Sequence, residues 1–320
     1  MTDAPPASRP RIVALDVARG IALAAMATYH LAFDAAVLGL APERLPFLPI
    51  MRVYSHVIAC TFLGLVGVSL ALAHRDGFRL QAFLRRFLTI AIAAGAVTLV
   101  TLFYDPPEAI TFGILHCIAA ASLLGGVCLF LPVWASFALG VAVAAAPIFV
   151  SDPAFNGPAI AWLGLGTLEP RTLDWRPFMP WAGASAIALA LARTPFGKGQ
   201  LARLSAWAGN APLWRGLAFA GRHSLVIYLA HQPALFGLLA TLAYATGASD
   251  VRDRSAYMRA CSPACMRAGG EMAACDKACA CVVERAEAEG LMSKLVHATA
   301  GPEEKTRLQA LVGECSVTAK

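Results

Sequence analysis

Charge is scarce in this chain. Only 14% of its 320 residues are Asp, Glu, Lys or Arg, while 58% are apolar, against about 25% charged in soluble domains. With a mean hydropathy of +0.63, the composition excludes an ordinary soluble protein and points to one embedded in lipid. The motifs of soluble catalysis are missing too. There is no Walker loop, no G-x-G-x-x-G following a strand, no G-x-S-x-G elbow and no H-E-x-x-H, so any chemistry must be built from dispersed residues. No heptad run, internal repeat or low-complexity tract occurs, and a nucleic-acid partner is not expected. Met1–Pro10 is polar and Pro-rich without an apolar core of its own; the expectation is that no signal peptide is cleaved and that the first span acts as signal-anchor.

What is abundant is apolar sequence in runs. Seven candidate spans follow in order: Ile12–Ala32, Val57–Ala73, Phe87–Phe103, Ile110–Leu131, Val133–Val150, Phe178–Ala192 and Leu225–Thr246. The sixth falls below the roughly 17 residues a spanning helix needs. Two further stretches read as interfacial or re-entrant: Ala159–Leu165, beneath Trp162, Trp175 and Trp181, and Leu201–Ala220, with Trp207 and Trp214. The fold class is therefore all-α, a polytopic transmembrane helical bundle of about seven spans. With the N-terminus in the cytoplasm, Arg9, Arg11, Arg75, Arg79, Arg85, Arg86, Arg193, Lys198, Arg203, Arg215 and Arg222 lie inside, and Arg44, Arg52, Arg171 and Arg176 outside. The positive-inside rule favours that orientation, and an odd number of spans places the C-terminus on the outer side.

The first span carries ions that cost roughly 3 kcal/mol each in a bilayer. Asp16 and Arg19, three apart, share a helix face, and His30 and Asp34, four apart, form a second pair. At 1.5 Å per residue the two pairs are about 20 Å apart along the helix, one near each membrane face. His56, His116 and His231 lie in or beside other spans. Any one of these imidazoles can simply hydrogen-bond helices together. His30 and His116 are favoured for function because both fall on the outer side with a candidate carboxylate, Asp34 and Asp105 respectively. A carboxylate-held neutral imidazole suits proton removal from an attacking amine or hydroxyl; it equally suits a proton relay. Arg75, Arg79, Arg85 and Arg86 in the second inner loop suit a phosphate-bearing ligand such as coenzyme A, although the positive-inside rule alone accounts for them. Cys60, Cys117 and Cys128 lie in spans and read as small buried apolar residues.

From Ser249 the apolar runs stop and six of the nine cysteines gather, four of them as C-x3-C-x9-C-x3-C from Cys261 to Cys279. Cysteines one turn apart share a helix face, and Gly269-Gly270 is placed where a hairpin would reverse. Two antiparallel helices, near Tyr257–Ala268 and Glu271–Glu284, would then juxtapose Cys261 with Cys279 and Cys265 with Cys275, leaving Cys281 and Cys315 to tie the Leu291–Cys315 region back. An oxidising outer location agrees with disulfides. The competing reading is a soft-metal site, since Met258, Met266, Met272 and His297 accompany the thiols. The four-cysteine spacing also resembles the twin C-x3-C hairpins of small oxidised chaperones of the mitochondrial intermembrane space, which implies a shape and no function.

The motifs Arg11-x4-Asp16-x2-Arg19-Gly20, Tyr29-His30-x3-Asp34, Phe62 to Leu70, Phe112-Gly113-Ile114-Leu115-His116-Cys117-Ile118-Ala119 and Gly221-Arg222-His223-Ser224 through Gln232-Pro233 together resemble a bacterial group of multi-spanning proteins. That group is classed with the catalytic domain of heparan-alpha-glucosaminide N-acetyltransferase, and the likeness covers about Arg11 to Thr246. The resemblance implies acetyl transfer from cytosolic acetyl-CoA to an amine across the membrane, using a histidine on the far side soon after the first span. His30 is the nearest match and His56 the alternative. The chain lacks the Asn-rich segment that follows the first span in eukaryotic members, so the sugar acceptor is not carried over.

The expectations are then an N-terminal tail (1–10), a transmembrane acyltransferase-like domain (11–247) and an extracytoplasmic Cys-rich helical tail (248–320) in a bacterial inner membrane. His30 with Asp34 and His116 are the candidate catalytic residues, and Arg75, Arg79, Arg85 and Arg86 the candidate donor-binding residues. Acetyl-CoA is the expected donor, with no metal. A small-molecule or glycan acceptor, membrane lipid, a second copy of the chain and an outer protein partner at the tail are the candidate partners. The alternative is a non-enzymatic transporter or envelope assembly protein.

Overall fold

A computed structural model describes residues 11–104 and 106–318. Every regular element among them is helical, in thirteen α-helices: α1 Val13–Val37, α2 Pro49–Ala73, α3 Leu80–Tyr104, α4 Ile114–Phe130, α5 Val133–Phe149, α6 Phe178–Arg193, α7 Pro195–Ser205, α8 Pro212–Arg222, α9 Ser224–Thr246, α10 Ala248–Arg267, α11 Met272–Ala288, α12 Met292–Val296 and α13 Pro302–Thr318. Each of the seven apolar runs is a helix. Four of them, α1, α2, α3 and α9, are long and apolar enough to cross a membrane, and α4, α5 and α6 are shorter apolar helices.

α1, α2 and α3 outrun their apolar runs by adding turns of more polar residues, whereas α4 begins four residues inside the Ile110–Leu131 run. α2 begins at Pro49, a residue suited to a first turn because its missing N–H has no helical partner there. Arg52 and His56 are helical but exposed, while Ser55, Ile58 and Ala59 are buried, so burial alternates with helical period. Of the interfacial stretches, Ala159–Leu165 holds one short 3-10 turn, Ala161–Leu163. The other is split between α7 and α8, with Pro195 and Pro212 in their respective first turns.

Contacts divide the chain into two compact units: residues up to Tyr29 with Pro49–His231, and His30–Leu48 with Gln232 onward. In the first unit α6, the run too short on paper to span, is the hub, packing against α2, α4 and α5. Ala182, Ser185, Ala186, Leu189 and Ala190 on α6 are fully buried. Small residues permit this. A Cβ on Gly67 of α2 would lie 2.0 Å from the Ser185 carbonyl oxygen, and one on Gly183 of α6 would lie 2.6 Å from that of Gly140 on α5. Backbones so close need no large side chains to hold them, which is how helices associate where lipid removes the hydrophobic drive. Meanwhile Leu88, Ile92, Leu99, Phe103, Phe130 and Phe149 remain exposed, and a chain with such apolar outer faces is a membrane protein. Cys117 and Cys128 are buried as expected; Cys60 is exposed, because it falls on the outer face of α2 next to buried Ala59.

In the second unit, α10 and α11 form the expected antiparallel pair. The chain turns at Gly269, whose φ of 95° is open to glycine and strained for other residues. Disulfides join Cys261 to Cys279, Cys265 to Cys275 and Cys281 to Cys315. All six thiols that the soft-metal reading needed are consumed, and Met258 packs against the tail's own core of Val283, Ala286, Met292, Leu308 and Leu311.

Candidate functional site

Three constellations gather the residues that the motifs single out. The first lies where α1 begins. Arg19 donates to Asp16 at 2.7 Å and, through its other terminal nitrogen, to the Ser69 hydroxyl of α2. Asp16 is thereby buried with its charge matched, the condition under which an ion survives in lipid. α8 closes on the same stretch backbone to backbone: a Cβ on Gly20 would lie 2.1 Å from the Leu217 carbonyl oxygen, and one on Gly221 would lie 1.8 Å from that of Asp16. The Arg19-Gly20 and Gly221-Arg222 motifs, distant in sequence, are thus the two sides of one helix contact.

The second constellation is built by α4 and the loops around its start. Asp174 Oδ2 accepts from the Ile114 backbone N–H at 2.7 Å, satisfying one of the free donors at the start of α4. The loop carrying Asp174 is tied to the segment before α4, with Thr172 Oγ1 donating to the Ala109 carbonyl at 2.9 Å and Leu173 N–H to that of Glu108 at 2.9 Å.

Within this frame the state of His116 can be deduced. Gly113 N–H donates to Nδ1 at 3.3 Å, so Nδ1 carries no proton. Thr98 Oγ1 lies 3.1 Å from Nε2 and already spends its hydrogen on the Ile110 carbonyl at 2.7 Å. Nε2 must therefore be the donor, and His116 is a neutral imidazole with both nitrogens engaged. Asp105, its candidate partner, lies outside the described residues.

Beside it, Arg176 donates to the Ser55 hydroxyl and to the Trp175 carbonyl at 2.8 Å, and sits 5.3 Å from the centre of the Trp181 ring. His56, exposed on α2, meets the same Trp181 edge-on at 5.0 Å. An accessible imidazole and a guanidinium thus flank one indole. Asp174 and Arg176 carry no motif signal, since a loop charge in sequence is only a loop charge; the Asp174-Trp175-Arg176 cluster just ahead of a span was the available hint.

The third constellation belongs to the second unit. Asp34 is 3% exposed, and both its carboxylate oxygens accept from Gln232 Nε2 at 3.0 Å. His30 stands one turn before Asp34 on α1 and is half-buried. Nothing in the sequence marks Gln232 as the carboxylate's partner, although it follows directly on the His231 motif. In the first unit, His231 donates from Nδ1 to the Tyr228 carbonyl at 2.5 Å.

The donor-binding candidates spread over the α2–α3 turn and the first turns of α3. Arg75 pairs with Asp76 at 3.5 Å, Arg79 and Arg85 are exposed, and Arg86 is half-buried. The turn is organised by His74, whose Nδ1 accepts from Arg79 N–H at 3.1 Å and whose ring stacks on Phe78 at 5.0 Å. Burial, with Arg79 and Arg86 nearby, pushes the His74 pKa down and keeps it neutral. No group of His, Cys, Asp and Glu among the described residues is arranged to hold a metal ion.

Comparison with known proteins agrees with the sequence resemblance. Neither the curated proteins nor the solved structures contain a match to the chain. The family described as heparan-alpha-glucosaminide N-acetyltransferase, catalytic, matches residues 11–233, a span that takes in α1 to α8, the first part of α9 and all three constellations. On that match the chain belongs to the heparan-alpha-glucosaminide N-acetyltransferase catalytic-domain family of membrane proteins.

Proposed function

We propose that this protein is a membrane-bound acyltransferase that moves acetyl from cytoplasmic acetyl-CoA to a saccharide or other envelope acceptor on the outer side of a bacterial inner membrane. The observation that carries the reading is the family match over residues 11–233, because acetyl transfer is the chemistry in that family's description. In this reading the N-terminus is cytoplasmic and the tail beyond α9 is extracytoplasmic, as the distribution of Lys and Arg favours. The arginines of the α2–α3 turn and the start of α3, exposed Arg75, Arg79 and Arg85 with half-buried Arg86, take the phosphates of the donor.

His30 acts as general base or transient acyl carrier, with Asp34 beside it on the helix. As base, it takes the proton of the acceptor amine while nitrogen bonds to the thioester carbon; the carbon–sulfur bond breaks and the thiolate leaves as coenzyme A. His116, neutral and held at both nitrogens, is the orienting group of the α4 start and not a proton carrier. A second assignment has its own support: His56 is exposed beside Arg176, a cation suited to a developing oxyanion.

The test is transfer or hydrolysis of labelled acetyl from acetyl-CoA by purified protein. Wild type is expected to be active, and His30→Ala to lose about 10²-fold or more while eluting and melting as wild type. An inactive wild type contradicts the function. An active His30→Ala with an inactive His56→Ala reassigns the base to His56.

A further inference from the structure

At the start of α1 there is a half-open cavity of about 470 Å3 whose lining includes Arg11, Asp16, Gly209, Arg215 and Arg222. Arg215 and Arg222 are seven residues apart on α8, hence on one face, and Arg11 reaches the same cavity from the chain entering α1. Three guanidiniums around one small space repel one another unless something negative sits among them. Among the described lining residues the one carboxylate, Asp16, is taken by Arg19 at 2.7 Å. Among the described residues, the positive charge lining this cavity is therefore left unbalanced.

The walls are fixed in advance. Gly20 and Gly221 hold α1 and α8 at backbone contact. Gly209, at φ 58°, makes a left-handed turn against Val13 and the Trp207 ring, where a side chain would be strained. Trp207 and Trp214 pack edge-to-face at 5.7 Å, and Leu213 and Phe219 are 66% and 56% exposed. α8 thus presents exposed apolar and aromatic groups with its arginines, the composition of a helix lying at the level of lipid headgroups.

We propose that this cavity binds a phosphate group, held by Arg215 and Arg222 with Arg11. Guanidinium forks match phosphate oxygens in pairs, and three of them around a preformed pocket give both charge and geometry. The group can be presented by an anionic lipid headgroup or by a water-soluble phosphate ester; the recognition chemistry is the same. The proposal does not rest on acyl transfer.

The test uses the full-length protein in nanodiscs, with arginine modification by phenylglyoxal mapped by mass spectrometry. Expected is slower modification of Arg215 and Arg222, but not of Arg171, when inorganic pyrophosphate is added or when phosphatidylglycerol replaces phosphatidylcholine. Protection by lipid alone assigns the headgroup, and protection by pyrophosphate in phosphatidylcholine assigns a soluble ester. The double variant Arg215→Gln/Arg222→Gln should weaken pyrophosphate or phosphatidylglycerol binding at least about tenfold, and Arg215→Lys/Arg222→Lys should recover part of it. Equal modification rates under every condition, or binding unchanged in the double glutamine variant, overturns the proposal, and the wild-type protection arm needs no variant to fold.

Discussion

Gly67 on α2 approaches the α6 backbone so closely that an added Cβ would sit 2.0 Å from a carbonyl oxygen. In the tail, by contrast, α11 is held to α10 and α13 by three disulfides and by ion pairs such as Arg254–Glu287 at 3.0 Å and Arg307–Glu289 at 2.6 Å. The two regions solve the same problem of joining helices under different solvents. Where the outer faces are apolar, burying another Leu gains little over leaving it in lipid, so close contact through Gly, Ala and Ser does the joining. The tail has polar outer faces and a core of a few residues around Leu311 and Val283. A unit of that size buries too little to hold itself together and needs covalent staples.

Reduction separates the two regions most directly. Treating the protein with dithiothreitol should unfold α10–α13, seen as rapid proteolysis beyond Thr246, and leave the apolar helices protected. Removing the Cys281–Cys315 bridge alone, which closes a separation of 34 residues, should cost the tail about 3–4 kcal/mol on the chain-entropy account. A tail equally protease-resistant when reduced would mean that its core suffices. In the other region, Gly67→Ala should destabilise by about 1–3 kcal/mol through overpacking, lowering the melting temperature in detergent, whereas Gly95→Ala, with open space around it, should not.

A smaller effect is expected at the start of α4. Asp174→Ala removes the acceptor for Ile114 N–H and should cost about 1–2 kcal/mol, like the loss of a helix cap; Asp174→Asn should recover part of it. An unchanged melting temperature in Asp174→Ala would show that the α4 start is held by His116 alone.

The smallest effect comes from surface charge and is read by titration. Hydrogen bonding to Arg307 holds the Glu289 pKa below its ordinary value, and Lys294 does the same for Glu304. Both carboxylates are depressed in the folded state, so their contribution is complete above the unfolded value of about 4.3 and lost as pH falls through the lower folded value. His74 runs in the same direction from a higher start: its depressed pKa means the α2–α3 turn is fully stable above about 6.5 and weakens as pH falls below that. Tail melting should therefore soften only in acid, while proteolysis at the α2–α3 turn should rise already in mildly acidic buffer. High salt should mute the tail effect, since exposed pairs are screened.

Much of the architecture could be read from the chain because its strongest signals are one-dimensional. Apolar runs mark the seven helices, and C-x3-C-x9-C-x3-C with Gly269-Gly270 at its centre leaves nested pairing as the geometric solution for two facing helices, which Cys261–Cys279 and Cys265–Cys275 adopt. The centrality of α6 was not legible, because a run of small residues has little hydropathy to distinguish a hub from a short segment. Nor were the partners of the polar groups. Gln232 reaches Asp34 across 198 residues, and Asp174 reaches Ile114 across 60; neither pairing has a local signature. The meeting of Gly20 with α8 and of Gly221 with α1 shows the reverse: the motif glycines were visible, while their purpose, contact without side chains, needed the fold.

Sided acetyl transfer in proteoliposomes tests the proposed activity most directly. Labelled acetyl-CoA is supplied on the face that exposes the α2–α3 turn, with glucosamine enclosed on the other face as a test amine. Labelled N-acetyl product is expected in the enclosed space and is absent with His30→Ala protein. Acetyl-CoA that is neither hydrolysed nor used for transfer on either face, or product found only on the donor side, would contradict this reading.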